Sequence, residues 1–154
     1  MELARNLRVD SVSRLEPAAP FQVGPSQLVT DAVYLMRSER VGCLLVVQQK
    51  RLVGIFTERD LMGRVLGVGK PLTSPISEVM TPNPITVFAK DSIRTAIKKM
   101  QSGGHRHLPV IDENNKPVGM LSVNRVIHYL AEHYPAVYNL PPEAGSVSNQ
   151  REGA

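Results

Sequence analysis

Cysteine, tryptophan and long apolar runs are scarce or missing in this sequence. Its 154 residues contain one cysteine, Cys43, and no tryptophan. A single cysteine cannot form a disulfide within the chain, and this usage is typical of a reducing compartment. The apolar runs are only a few residues long, as in 44–47, and residues 1–10 lack the apolar stretch of a secretory signal. We therefore expect a cytoplasmic protein that does not enter a membrane.

Aromatic residues and clustered positive charge are also sparse. The chain has three phenylalanines and four tyrosines, and its 18 Lys and Arg against 14 Asp and Glu give a net charge of +4. No run of basic residues is longer than two. Proteins that bind single-stranded nucleic acid usually interleave aromatic platforms with a basic groove. The pattern favours an ordinary solvated surface over a nucleic-acid interface.

The sequence does contain an internal repeat. At an offset of 64 residues, 21–23 align with 85–87, the helical pattern at 29–36 with 93–100, and 44–47 with 108–111. One extra residue in the second copy then changes the offset to 65, so that 53–57 align with 118–122. A period of this length indicates two copies of one supersecondary unit.

Each copy has the pattern of a strand, a helix, two strands and a second helix. Apolar residues at 29, 32, 33 and 36 lie on one face of a helix, for which Ser26 is a candidate N-cap; Asp91 or Ser92 is the candidate in the second copy. The short apolar runs at 44–47 and 53–56 indicate buried strands, and a second helix is expected at about 58–66 and again at 123–133. The fold class is therefore α/β (α+β), with two β-α-β-β-α repeats related by a pseudo-twofold axis.

The repeats have predicted boundaries at 8–66 and 73–133. A linker rich in glycine and proline covers 67–75, and a polar C-terminal tail covers 134–154. Because a unit of this size is marginally stable alone, we expect the two repeats to share a core.

Three segments carry a resemblance to a known family. Residues 54–60 resemble the Gly-x-x-Thr-x-x-Asp signature that closes a CBS repeat, 79–87 resemble the segment that opens one, and 105–112 resemble its middle strand. The match covers about 8–66 and 73–131. The chain is therefore similar to a CBS domain pair, or Bateman module, of the stand-alone bacterial type. The resemblance implies a regulatory module that binds AMP, ADP, ATP or S-adenosylmethionine, uses no cofactor and forms a homodimer.

Thr57 and Asp60 are the principal candidates for ligand binding. The threonine ends a predicted strand, and the aspartate lies three residues later in the first helical turn. A carboxylate there is able to accept hydrogen bonds from both ribose hydroxyls, and the threonine hydroxyl adds another. The same spacing is also that of a capping box, which stabilises the start of a helix without any ligand. The two roles are compatible.

By resemblance, the turn into the middle strand of the first repeat also lies against the adenosine. Gly42 leaves room for a ring beside the backbone, and Val41 and Cys43 flank it. The alternative for Cys43 is a small buried core residue. We assign it no catalytic role, because the motif provides no histidine or acid as a partner.

Phosphate contacts are assigned to basic residues of the second repeat. His105, Arg106 and His107 stand at the start of its middle strand, and arginine binds phosphate bidentately. A solvated strand end is the alternative, and a metal site is not expected because no third ligand is evident. Ser122 occupies the position of Thr57, but Arg125 stands where Asp60 does. Arginine accepts no hydrogen bond, so Arg125 is assigned to phosphates instead of the ribose.

The leading hypothesis is a nucleotide sensor that catalyses nothing itself and regulates an unidentified protein. The alternative is a ligand-independent dimerisation or scaffold module. Asp60 favours the first, whereas Arg125 favours the second. The sequence offers no nucleophile and base pair, metal cluster or phosphate loop for an enzyme.

Overall fold

The chain folds into two small sheets flanked by helices, as seen in a computed structural model that describes residues 2–134. The first sheet has the strand order β1 (Gln22–Val23), β2 (Cys43–Gln48), β3 (Arg51–Thr57) and β4 (Thr81–Pro82). The second sheet has the order β5 (Val87–Phe88), β6 (His107–Ile111) and β7 (Pro117–Ser122). The predicted C-terminal tail, 134–154, lies outside the described residues except for Tyr134.

The helices complete the predicted β-α-β-β-α order in both repeats. They are α1 (Glu2–Val9), α2 (Val29–Glu39), α3 (Glu58–Asp60), α4 (Ile93–Gly103) and α5 (Val123–His133). A π-helix, Leu61–Leu66, continues α3, and 3-10 helices cover Val12–Leu15 and Ile76–Glu78. Within residues 2–134, no helix is both long and apolar enough to cross a membrane. The mixed fold class is confirmed, whereas α1 was not predicted.

The two sheets have the same register. In the first sheet, β1 pairs in parallel with β2 through Val23 and Val46, and in the second sheet β5 pairs in parallel with β6 through Val87 and Val110. Both antiparallel hairpins shift register at equivalent points, between 46 and 47 and between 110 and 111. The 64-residue repeat in the sequence is therefore a repeat of backbone pairing.

The segment that opens each repeat packs on the other repeat. Strand β4 pairs with β3, and Ile76 and Val79 lie in the core of the first sheet. Val12 and Leu15 conversely lie in the core of the second sheet, beside Leu121 and others. Since packing crosses the predicted boundaries at 8–66 and 73–133, those boundaries stay predictions.

Two equivalent glycines allow the opening segment of each repeat to pack closely on the other repeat. A Cβ atom added at Gly54 would lie 2.4 Å from Met80 Sδ and 3.1 Å from the carbonyl oxygen of Thr81. One added at Gly119 would lie 3.0 Å from Pro17 Cβ. Glycine within a strand often marks such a close approach of another segment. The glycine of the signature at 54–60 thus has a packing role in this structure.

The helix starts confirm one predicted N-cap and correct another. Ser92 precedes α4 and its Oγ accepts a hydrogen bond from the backbone N–H of Thr95 at 3.0 Å. The prediction of Ser26 is wrong, because α2 begins at Val29 after Leu28. There the carboxylate of Asp31 accepts the backbone N–H of Leu28 at 3.0 Å, so the capping group comes from inside the helix.

Candidate functional site

Thr57 and Asp60 form a reciprocal capping box at the end of β3. The backbone N–H of Asp60 donates to Thr57 Oγ1 at 3.2 Å, and the backbone N–H of Thr57 donates to Asp60 Oδ2 at 3.0 Å. The capping role that the spacing predicted is therefore present. It also fixes the Asp60 carboxylate at the turn between the strand and the helix.

Asp60 is buried, with 5% of its surface exposed, and four donors surround its carboxylate. Besides the backbone N–H of Thr57, the hydroxyls of Thr57 and Thr81 donate to it at 3.2 and 3.0 Å. Arg64 Nε lies 3.3 Å from Asp60 Oδ1. A carboxylate offers about four lone-pair sites, so these partners satisfy it. A buried charge persists only with this kind of support.

A cavity of about 480 Å³ opens beside this carboxylate. It brings residues of both repeats together. Six residues predicted for the site line it, namely Gly42, Thr57, Asp60, His105, Arg106 and His107. The remaining lining residues were not assigned to the site from the sequence: Ile55, Glu58, Arg59, Thr81, Asn83, Pro84, Ile85, Gly104 and Pro109.

Three predicted site residues are not among those that line the cavity. Cys43 is buried in the core between the two sheets, beside Leu45 and Met120. Burial, reinforced by the charge of Asp60, raises the pKa of the Cys43 thiol to about 12, so it is a neutral core residue. Val41 packs against the first core. Arg125 is half-buried in the first turn of α5.

The basic residues that line the cavity come from both repeats. Burial lowers the pKa of His107, with Glu58 opposing and Arg106 reinforcing the effect. This pKa lies below its ordinary value of 6.5, so the environment of His107 favours the neutral imidazole over the cation, and its assignment to phosphate stays a prediction. The fixed positive charges among the lining residues are the guanidinium groups of Arg59, from the first repeat, and Arg106, from the second.

Gly42 makes room for a carboxylate in this structure. A Cβ atom added there would lie 2.7 Å from Glu58 Oε1. The backbone N–H of Glu58 also donates to the carbonyl of Gly42 at 3.1 Å. The space expected beside this glycine therefore exists, and the side chain of Glu58 occupies it.

The segment from 81 to 85 is the main part of the site that sequence analysis missed. We assigned 79–87 to the opening of the second repeat, but its first part pairs with β3 through Ile55 and Thr81. Asn83, between two prolines, has a positive φ of 49° and lines the cavity. The available signal was a hydroxyl residue followed by a Pro-Asn-Pro turn.

The corresponding position in the second repeat lacks the acidic group. Ser122 precedes α5 but its hydroxyl makes no capping hydrogen bond. Arg125 replaces the carboxylate. The described residues, 2–134, contain no group of three or more histidine, cysteine and acidic side chains able to hold a metal ion.

The family model and the similar proteins agree on one family. The family model described as "CBS domain" matches residues 12–67 and 76–132. The CBS domain-containing protein YhcV of Bacillus subtilis is 33% identical over 108 residues, which are 68% of this chain and 77% of that protein. The meiotically up-regulated gene 70 protein of Schizosaccharomyces pombe is 35% identical over 86% of this chain, but the match spans only 17% of that relative.

A solved structure shares the same fold. It is a CBS domain protein from Pyrobaculum aerophilum complexed with AMP, which aligns with a TM-score of 0.72 and 26% identity. The alignment covers 80% of this chain and 97% of that chain.

Proposed function

The chain belongs to the CBS-domain family, and from this premise we propose that it is a regulatory module that binds an adenosine nucleotide beside Asp60. It catalyses no reaction itself and transmits the bound state to another protein. The similar protein from P. aerophilum was solved with AMP, which supports an adenosine ligand. AMP, ADP, ATP and S-adenosylmethionine are the candidates, and AMP is the probe chosen for the tests.

The observation that carries the proposal is the cavity at a buried, preoriented carboxylate. Thr57 and Thr81 line the cavity, and both direct their hydroxyls at Asp60. These hydroxyls rotate at little cost, so two ribose hydroxyls are able to take their places on the carboxylate. The threonine oxygens then become acceptors or donors to the same ribose.

Basic residues that line the cavity supply the hydrogen-bond donors that a phosphate requires. Arg59 comes from the first repeat, and His105 and Arg106 come from the second. Arginine binds phosphate bidentately, which favours a nucleotide over the uncharged nucleoside. Because residues of both repeats contact one ligand, binding would couple the two halves of the module.

Titration calorimetry with AMP tests this function. We expect one nucleotide per chain, since Arg125 replaces the carboxylate in the second repeat. Asp60→Ala should weaken binding about ten- to a hundredfold, which is the usual consequence of losing charge-assisted hydrogen bonds.

Asp31→Ala is the matched control for this substitution. Asp31 accepts a backbone N–H three residues earlier at 3.0 Å, as Asp60 does, but it is not among the residues that line the cavity. Its loss should leave AMP binding unchanged. Equal affinity in Asp60→Ala and the parent protein, or two equivalent sites per chain, would contradict the assignment.

The second candidate function is a dimeric scaffold that needs no ligand. Asp60 is already satisfied within its own chain. In addition, Tyr34 on α2 and Met62 on the π-helix are large apolar side chains that are 74% and 62% exposed, and contact with another chain would cover them. Light scattering that shows a dimer, together with no AMP binding in calorimetry, would favour this function. A homodimer is expected for both candidates.

Three narrower assignments stay predictions. They are the stand-alone bacterial type, the cytoplasmic location and the identity of the regulated protein. The relatives described above come from a bacterium, an archaeon and fission yeast. In the yeast protein the matched region is a small part of a longer chain.

A further inference from the structure

Arg64 lies outside the cavity but bonds to two chain segments that contribute lining residues. The residue lies in the π-helix Leu61–Leu66 and is not among the residues that line the cavity. Its Nε lies 3.3 Å from Asp60 Oδ1, and its Nη1 donates to the carbonyl oxygen of Met80 at 3.2 Å. Asp60 belongs to the closing turn of the first repeat, whereas Met80 immediately precedes β4. One guanidinium therefore connects the carboxylate to the strand that carries Thr81.

The local backbone is unusual at this residue. The backbone N–H of Gly67 donates to the carbonyl of Met62 at 2.7 Å, which is the five-residue spacing of a π-helix. The equivalent stretch of the second repeat belongs to a regular α-helix. π-Helical turns are rare and often occur at functional sites.

The donors around Asp60 divide into two kinds. The hydroxyls of Thr57 and Thr81 come from residues that line the cavity, and a ribose is able to replace them. The backbone N–H of Thr57 and the guanidinium of Arg64 do not come from exchangeable hydroxyls. These two donors would remain in place while the ribose binds, and so they would hold the carboxylate in one orientation.

We propose that Arg64 is a positioning residue for the ribose: it fixes the Asp60 carboxylate and ties it to β4 through the carbonyl of Met80. This inference rests on the proposed function and adds a residue that does not contact the ligand. This two-point clamp, from Nε to Asp60 and from Nη1 to Met80, needs the forked donors of arginine, because the ammonium of lysine is a single point charge. The second repeat has neither member, since Arg125 stands at the position of the aspartate and Tyr129 at that of Arg64.

A cycle of one substitution and one ligand change tests the clamp. AMP and 2′,3′-dideoxyadenosine monophosphate carry the same phosphate, and only AMP has the ribose hydroxyls. We expect Arg64→Met to weaken AMP binding about five- to tenfold and to change binding of the dideoxy ligand less than about twofold. Arg64→Lys should resemble Arg64→Met. Circular dichroism of each variant verifies that the fold is retained.

Arg14→Met is the matched control. Arg14 is 54% exposed and pairs with an aspartate four residues earlier, as Arg64 does at 52% exposure, but it lies in the 3-10 helix Val12–Leu15, which packs on the second repeat, and does not line the cavity. Its loss should leave the binding of both ligands unchanged.

The outcomes separate the two proposals. If the parent protein binds AMP in preference to the dideoxy ligand and Arg64→Met weakens both equally or neither, the positioning role is wrong and the proposed function stands. Full affinity in Arg64→Lys would overturn the two-point clamp. If the parent protein binds neither ligand, or binds both equally, the ribose assignment fails and the positioning role fails with it.

Discussion

The first repeat ends its returning strand with Thr57 and places Asp60 in the next turn, whereas the second repeat has Ser122 and Arg125 at the same positions of the same frame. The strand registers agree residue by residue, and both hairpins bulge at the same point. Only in the first repeat does the hydroxyl cap the helix. The two regions therefore differ in polar chemistry and agree in backbone.

The comparison shows that different residues determine the frame and the site. Apolar residues at repeated positions set the strands and helices, and they tolerate substitutions such as Phe56 for Leu121. The site depends on a few polar side chains, whose hydrogen bonds stabilise one helix start but do not set the frame. A repeat is therefore able to lose its carboxylate without losing its fold.

The largest expected effect tests whether the two repeats form one cooperative unit. Phe56→Ala and Leu121→Ala truncate fully buried side chains at equivalent positions. Phe56→Ala should lower the free energy of unfolding by about 3–5 kcal/mol and Leu121→Ala by about 2–5 kcal/mol. Val12 of the first repeat packs in the core of the second sheet, and Ile76 of the second repeat packs in the core of the first sheet. Because each core contains residues of both repeats, both variants should still unfold in one transition.

Urea unfolding followed by far-UV circular dichroism provides the measurement, because the chain has no tryptophan. Two transitions, of which Leu121→Ala moved only one, would show that the repeats unfold independently.

A smaller effect should separate the two helix starts. Thr57→Ala removes a hydroxyl that accepts the backbone N–H of Asp60, and it should lower the free energy of unfolding by about 1 kcal/mol. Ser122→Ala removes a hydroxyl with no capping hydrogen bond, so its effect should be close to zero. The same urea experiment compares them. Equal losses in both variants would mean that the cap does not distinguish the repeats.

The sequence predicted the local elements well because their patterns are local. Apolar spacing located α2 and α4, and short apolar runs located β2 and β6. The cap at Ser92 follows from its own turn. Ser26 failed as a cap because a side chain inside the helix, Asp31, performs that function. Pattern alone does not reveal such a competitor.

The missed parts of the site depend on contacts between distant segments. Thr81 reaches Asp60 only because β4 pairs with the first sheet, although we assigned its segment to the second repeat. Arg64 is recognisable only when Met80 lies beside it. Cys43 follows Gly42 directly, but as the first residue of β2 it shares a face of the strand with Leu45 and is buried in the core.

The smallest expected effect concerns His107, which stands where the first repeat has Cys43. Burial lowers its pKa in the folded protein below 6.5, and the unfolded chain has no such burial. As the pH falls through 6.5, the unfolded state therefore takes up the proton first, and the folded state loses stability. The contribution is fully present above pH 6.5 and declines until the pH reaches the folded pKa.

The variant His107→Gln has no imidazole to protonate, so it should lack this loss of stability at low pH. Between pH 7.5 and pH 5.5, each about one unit from the ordinary pKa of 6.5, its free energy of unfolding should fall less than that of the parent protein. The measurement is urea unfolding at the two pH values, combined with an NMR titration of the imidazole. Glu58 opposes the shift through its charge, so Glu58→Gln should lower the midpoint of His107 further. A midpoint at or above 6.5 in the folded parent protein, or the same pH dependence in His107→Gln, would show that this wall of the cavity is well solvated. In that case His107 would carry positive charge in a larger fraction of molecules near pH 7 and would be available to a phosphate. The thiol of Cys43 at the equivalent position is neutral, so the two repeats would then differ more in charge at this point.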